Sequence, residues 1–256
     1  ALMGPVHADT WGYETLRSMN LATSATSRSA ALADQYKNEI LGDLSPLQRE
    51  ALDEVVFARR TRTIIDRDEF KQRTDPKYKA HKNPGGFGRE HWQAYIDNIG
   101  MKGLSEAEVA EVYRRADMLF DIAKDQLKQL HEEGLITTEV YDDLKHLDYQ
   151  RRQMIDIVDP PQTLGGKKID VRESGIQELS VGHEKQLLET DSIKLMEELV
   201  IRTQNRIMAN RAAKDLYKLA ESNPESPLVR LKRPDGGWEA VHCFIEGQKK
   251  AVYMPK

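Results

Sequence analysis

Arg202-Thr203-Gln204-Asn205-Arg206 and, one turn on, Asn210-Arg211-Ala212-Ala213-Lys214-Asp215-Leu216-Tyr217 decide how this chain is read. The run is helix-favouring from a cap at Asp191 or Ser192, and it stops at Asn223-Pro224. Ile193, Met196, Val200 and Ile207, with Leu195, Leu199, Ala213, Leu216 and Ala220, make a broad apolar stripe along it. Beyond it, 228–231, 237–245 and 249–254 read as three strands. Pro234-Asp235-Gly236 and Glu246-Gly247-Gln248 supply the turns of a β-meander. Arg202, Arg206 and Asn210 lie at helical spacings and are expected to form a polar packing seam that fixes register, with a docking face as the alternative.

Upstream, Ser105-Glu106-Ala107-Glu108 is a capping box. Behind it Val109, Tyr113, Ala116, Phe120, Ala123, Leu127 and Leu130 step by 4 and 3, a heptad seam that ends at Gly134. Thr137 or Thr138 caps a short helix to about Tyr149, so the two helices are expected to pack as an antiparallel hairpin. Ser45-Pro46-Leu47-Gln48 starts another helix, running to about Phe70. From about Tyr13 to Ile40 Leu16, Met19, Ala22, Ala30, Ala33 and Tyr36 are loosely periodic, with Gly42 as the stop.

Residues 71–104 hold Pro76, Pro84 and a run of glycines. A short helix near 89–99 is expected inside an excursion that reaches outward, with Phe87, Trp92 and Tyr95 as partner-binding aromatics. The fold class is mainly α: a long-helix bundle with an antiparallel helix hairpin and a small C-terminal three-stranded β-meander. The expected division is a helical domain over 1–158, a polar linker over 159–190 around Pro160-Pro161 and Gly165-Gly166, and the long helix with its β unit over 191–256.

The chain has 256 residues and a formal charge of −4, which gives no global pull toward nucleic acid or anionic lipid. Cys243 stands alone, so an internal disulfide and a thiolate metal site are both excluded. No run reaches the roughly 18 apolar residues of a membrane span. The chain opens Ala1-Leu2-Met3-Gly4-Pro5 and stops at Lys256 after a strand-like segment, and both ends are expected to belong to a longer polypeptide.

Catalytic groups do not assemble into a motif. Gly85-Gly86-Phe87-Gly88 and Leu164-Gly165-Gly166-Lys167-Lys168 are glycine clusters, but the second has Pro161 where a P-loop needs glycine and Lys168 where it needs Ser or Thr. His81, His91 and His131 lack zinc-ligand spacing. His242 and Cys243 are neighbours on a strand and face opposite ways. No catalytic residue, metal or cofactor is expected. Arg59, Arg60, Arg62, Arg67, Lys71, Arg73, Lys77 and Lys79 form a basic stretch that continues to Lys82, the basis for an alternative nucleic-acid role.

Gly134-Leu135-Ile136-Thr137-Thr138-Glu139-Val140-Tyr141, just after a long helix, resembles a joint seen in large polyvalent proteins of phages and mobile elements. Arg206, Asn210, Ala212, Leu216, Asn223-Pro224, Gly247 and Lys249 follow in the same order as in that family. The resemblance covers roughly 105–254. The Tyr149-Gln150-Arg151-Arg152 run departs from the family's Tyr-Val-Pro. It implies a non-enzymatic segment of a virion protein, located in the virion and passing through the host cytoplasm during assembly. The implied partners are other virion proteins or copies of itself, with DNA as a further one.

Overall fold

The computed structural model describes residues 11–80, 86–148, 190–234 and 236–255. The expected linker 159–190 lies outside these except at Thr190, as do Gly85, His81 and the Leu164–Lys168 cluster. The described residues form seven α-helices, a 3-10 turn and two strands: α1 (Trp11–Thr23), α2 (Ala25–Leu41), α3 (Pro46–Thr74), α4 (Arg89–Asp97), the turn Ile99–Lys102, α5 (Glu106–Glu132), α6 (Thr138–Leu144), α7 (Ser192–Ser222), β1 (Trp238–Ile245) and β2 (Gln248–Pro255). The chain is mainly helical, with a small antiparallel sheet at its C-terminal end.

The helix boundaries follow the capping chemistry. At α3, Ser45 accepts from the Gln48 amide, the Gln48 side chain answers from the Ser45 amide, and Pro46 takes the first helical position. At α5, Ser105 and Glu108 make the same reciprocal pair. Asp191 accepts from the Lys194 amide and caps α7. Gly134 ends α5 with φ 76; its amide reaches the His131 carbonyl and the Leu135 amide reaches the Leu130 carbonyl, a Schellman end.

Contacts divide the chain into two compact units, each assembled from separated segments. One unit holds Lys37–Ala123 and Leu147–Glu197. Within it α3 buries Ala51, Leu52, Val55, Val56 and Ala58 together with Arg60, Thr61, Arg67 and Asp68, so this helix is covered on more than one side. Within the 71–104 excursion, α4 lies back on it. Trp92 and Ile96 of α4 join Ala58 and Ile65 in one cluster, with Phe57 and Tyr113 at its margin, and the Tyr113 hydroxyl donates to the Ile96 carbonyl.

Arg115 in this unit donates through Nη1 to the Glu39 carbonyl at the end of α2 and through Nε to Glu111. Arg114 and then Arg115 hold the Glu111 carboxyl down to about 2. A depressed acid contributes stability that is complete above the ordinary carboxylate value and is lost as pH falls toward 2. An NMR titration should therefore place the Glu111 midpoint near 2, moving upward in Arg114→Gln; an ordinary midpoint in the parent chain would contradict the pairing.

The other unit holds Ala1–Tyr36, Lys124–His146 and Glu198–Lys256. Here α1 and the start of α2 turn small residues inward: Thr15, Ala25, Ser29 and Ala33 are buried, while Leu16 and Met19 are exposed. Small side chains allow close approach to α7, sealed by bonds from Ser18 to Asp215 and from Ser29 to Asn205. Of the loosely periodic set, Ala33 is buried while Leu16, Met19 and Ala30 are exposed. Leu216 and Ala220 of α7 pack with Val229 and Val252 to carry the hairpin.

Two further expectations change. Phe120, Leu127 and Leu130 are buried as the heptad implied, but α6 buries none of its residues and touches α5 through a stack of Tyr141 on His131. Two turns carrying Asp142 and Asp143 offer too little apolar area to cover that seam. The third strand shrinks to one bridge, Arg230 with Tyr253. Pro227 and Pro234 bracket 228–231, leave little room for a ladder, and Leu228 stays exposed.

Candidate functional site

The polar groups of the Lys124–His146 and Glu198–Lys256 unit converge where α5 ends, α7 passes and the hairpin turns. Asn210 on α7 is 4% exposed. Its Oδ1 accepts from the Phe244 amide at 2.7 Å, and its Nδ2 donates to the Phe244 carbonyl at 3.0 Å and the Glu133 carbonyl at 3.3 Å. One side-chain amide therefore ties a strand to a helix end through three backbone atoms, with a further bond from Nδ2 to Glu133 Oε1 at 3.4 Å.

Glu133 is the second member. Its side chain is 7% exposed and accepts from Arg211 Nε at 2.8 Å and Lys214 Nζ at 3.0 Å, while Lys214 also donates to the Glu133 carbonyl. Both carboxylate oxygens are occupied, so the group acts as a brace. An acid at a helix C-terminus opposes the macrodipole and calls for cations there. That mismatch in Glu132-Glu133-Gly134 is the sequence signal that marks this group.

The third member is a glycine-to-glycine contact. Glu246 and Gly247 both have positive φ, 51° and 74°, the two-residue turn suited to a twisted hairpin. The Gly247 amide donates to the Gly134 carbonyl at 2.9 Å. A cavity of about 220 Å³ opens beside this contact, lined in part by His131, Thr137, Thr138, Lys214 and Ile245.

The residues singled out from the sequence divide. Asn210 sits at the centre of the joint, and Arg206 lies with its guanidinium 5.8 Å from the Phe244 ring centre. Arg202 does not belong to the seam: it is exposed and pairs with Glu198 one turn back on its own helix. Gln204 instead donates to Gln126 and Gln129, a buried amide contact.

Of the partner-binding aromatics, Trp92 is corrected to a core residue, because α4 lies on α3 and buries it. Phe87 and Tyr95 remain exposed, Phe87 stacked 4.0 Å from His91. Burial first, and then Glu54, pushes the Tyr95 hydroxyl upward.

The basic stretch is not one surface. Arg59 pairs with Asp117 and Asp148 and lies over Phe120, Arg60 is buried, and Arg67 is buried against Asp68. Arg62 donates to Gln93, Lys71 lies over Tyr78, and Arg73 pairs with Glu69. Lys77 and Lys79 are exposed. A long helix turns residues 59–73 around its whole circumference, so sequence proximity does not gather their charges.

Cys243 is buried, which pushes its thiol upward, while His242 faces outward. Among the described residues no group of three or more His, Cys, Asp or Glu could hold a metal ion, and no helix is long and apolar enough to cross a membrane. Comparison with protein-family models, with characterised proteins and with solved structures gives no match.

Proposed function

We propose that the chain is a non-enzymatic structural and interaction segment of a larger phage virion protein, internal or ejected with the DNA, that mediates protein–protein assembly. Its place would be the virion, after passage through the host cytoplasm. The resemblance supplies the class of protein. The observation that carries the reading is the Asn210 joint, where buried polar groups fix one backbone against another and so set the direction in which the hairpin leaves α7. A scaffold depends on such fixed geometry.

Asn210→Ala leaves the half-buried Phe244 amide without its partner, and is expected to cost about 2 kcal/mol in denaturant unfolding. Incorporation of the parent protein into particles should fall with it. Normal incorporation despite a loosened hairpin would count against the assembly role. Turnover of a substrate by the purified chain, abolished by a single Asp, Glu or His substitution, would sink the non-enzymatic part.

A nucleic-acid-associated module over 59–82 is the competing reading. It rests on Arg62, Lys71, Arg73, Lys77 and Lys79, since Arg59, Arg60 and Arg67 are committed inside the fold. Salt-sensitive binding of a DNA duplex that weakens in a Lys77→Gln, Lys79→Gln double variant is its test.

A further inference from the structure

The two edges of the hairpin are not alike. Ile245 faces Gln248 across a two-residue turn, and the register runs from there to Trp238 opposite Pro255. In such a ladder the amides and carbonyls of Ile245, Cys243, Val241 and Glu239 point to β2, and those of Phe244, His242, Ala240 and Trp238 point away from it. Two contacts agree with this phase: Asn210 takes the outward groups of Phe244, and Arg230 takes those of Tyr253, which faces Ala240.

The β2 edge is thus partly covered by Arg230, and it carries Lys249, Lys250 and Pro255. Lysine and proline are the residues that keep an edge from pairing. The β1 edge has neither, and it contains no bulge in its register. Its Ala240 and His242 are exposed, so no described element lies over the outward backbone between Trp238 and the Asn210 cap.

We propose that this edge pairs with β1 of a second copy, antiparallel about Ala240, to make a four-stranded sheet across a two-fold axis. The phase of the strand admits several registers, and this is the one that pairs all three uncapped outward positions, Phe244 being taken by Asn210. Ala240 then faces Ala240, Trp238 faces His242 of the second copy, and each of these positions offers its backbone groups outward. Glu239 falls opposite Val241, so no like charges meet, and the smallest side chain of the three sits on the axis. Asn210 ends the pairing at Phe244; both copies use the same β1 edge across the two-fold axis, and the β2 edge is partly covered by Arg230, so the contact closes at a pair instead of a fibre. The contact deepens the assembly reading and rests on it for its biological role; the pairing itself follows from the strand.

The test uses the full chain. Light scattering over a range of concentrations should show a monomer–dimer equilibrium. Ala240→Pro removes an outward amide that β1 does not share with β2, so the dimer should be lost while circular dichroism and melting are retained. Should that variant fail to fold, Ala240→Cys gives an independent reading. Paired alanines lie about 5.5 Å apart between Cα atoms, within disulfide reach, so diamide should link Ala240→Cys chains and leave His242→Cys chains unlinked. A chain that stays monomeric at every concentration overturns the proposal, as does a dimer in which Ala240→Cys does not cross-link. Either result would leave assembly through other surfaces standing. Protection of the Ala240 and His242 amides only on adding an unrelated extended peptide would assign the edge to a different protein and also overturn it.

Discussion

Phe120→Ala is expected to cost about 3–5 kcal/mol, the range for deleting a buried aromatic ring. Phe120 is 1% exposed and among the largest fully buried side chains of the chain. The Arg59 guanidinium lies 4.8 Å from its ring centre while pairing with Asp117 and Asp148. Removing the ring opens a cavity and takes away the surface that positions a partly buried cation. Phe120→Leu keeps most of the volume and should lose about 1–2 kcal/mol. Urea unfolding of the two variants checks this, and a loss below about 1 kcal/mol for alanine would show that the site collapses freely.

Gly247→Ala should destabilise the hairpin joint by about 3 kcal/mol, from a left-handed backbone penalty of about 1–2 kcal/mol and overpacking of about 1–3 kcal/mol. A Cβ at Gly247 would stand 2.3 Å from Thr137 Cγ2 and 3.0 Å from the Thr137 amide nitrogen, with φ at 74°. The second contact is backbone, so rotating the threonine does not relieve it. Pairing Gly247→Ala with Thr137→Ser removes the methyl group and should recover only the share of the overpacking that comes from Thr137 Cγ2. Gly236, where a Cβ meets nothing within 4 Å, is the control that reports the backbone penalty alone. Equal losses at Gly236 and Gly247 would show that the close approach to Thr137 contributes nothing.

Gly134 and Gly247 were both legible as stops, one for a helix and one for a hairpin. Their meeting was not. Each glycine satisfies a local rule of its own, and nothing in a local rule says that the Gly247 amide needs the Gly134 carbonyl. The candidate site was similarly half visible: Asn210 stood out as a polar residue on an apolar helix, while its partners Glu133 and Phe244 lie 77 and 34 positions away. The basic stretch failed for the opposite reason. Its residues are close in sequence, yet one α-helix distributes them between a buried interior and water.

Sequence by itself determined the helix starts at Ser45, at Ser105 and at Asp191 or Ser192, the ends at Gly42 and Gly134, the burial of Phe120 and Leu127, and the turn at Glu246-Gly247. Capping, glycine conformation and heptad spacing are properties of a few consecutive residues, so they are written locally. Only the tertiary structure decided that α1 presents Thr15 inward and Leu16 outward, that Trp92 belongs to the core, and that 228–231 makes a bridge instead of a strand. Each of these depends on what lies opposite. A small residue is buried where two helices approach closely, an aromatic is buried where a neighbouring helix offers an alanine, and a strand forms only where a partner edge is long enough to pair.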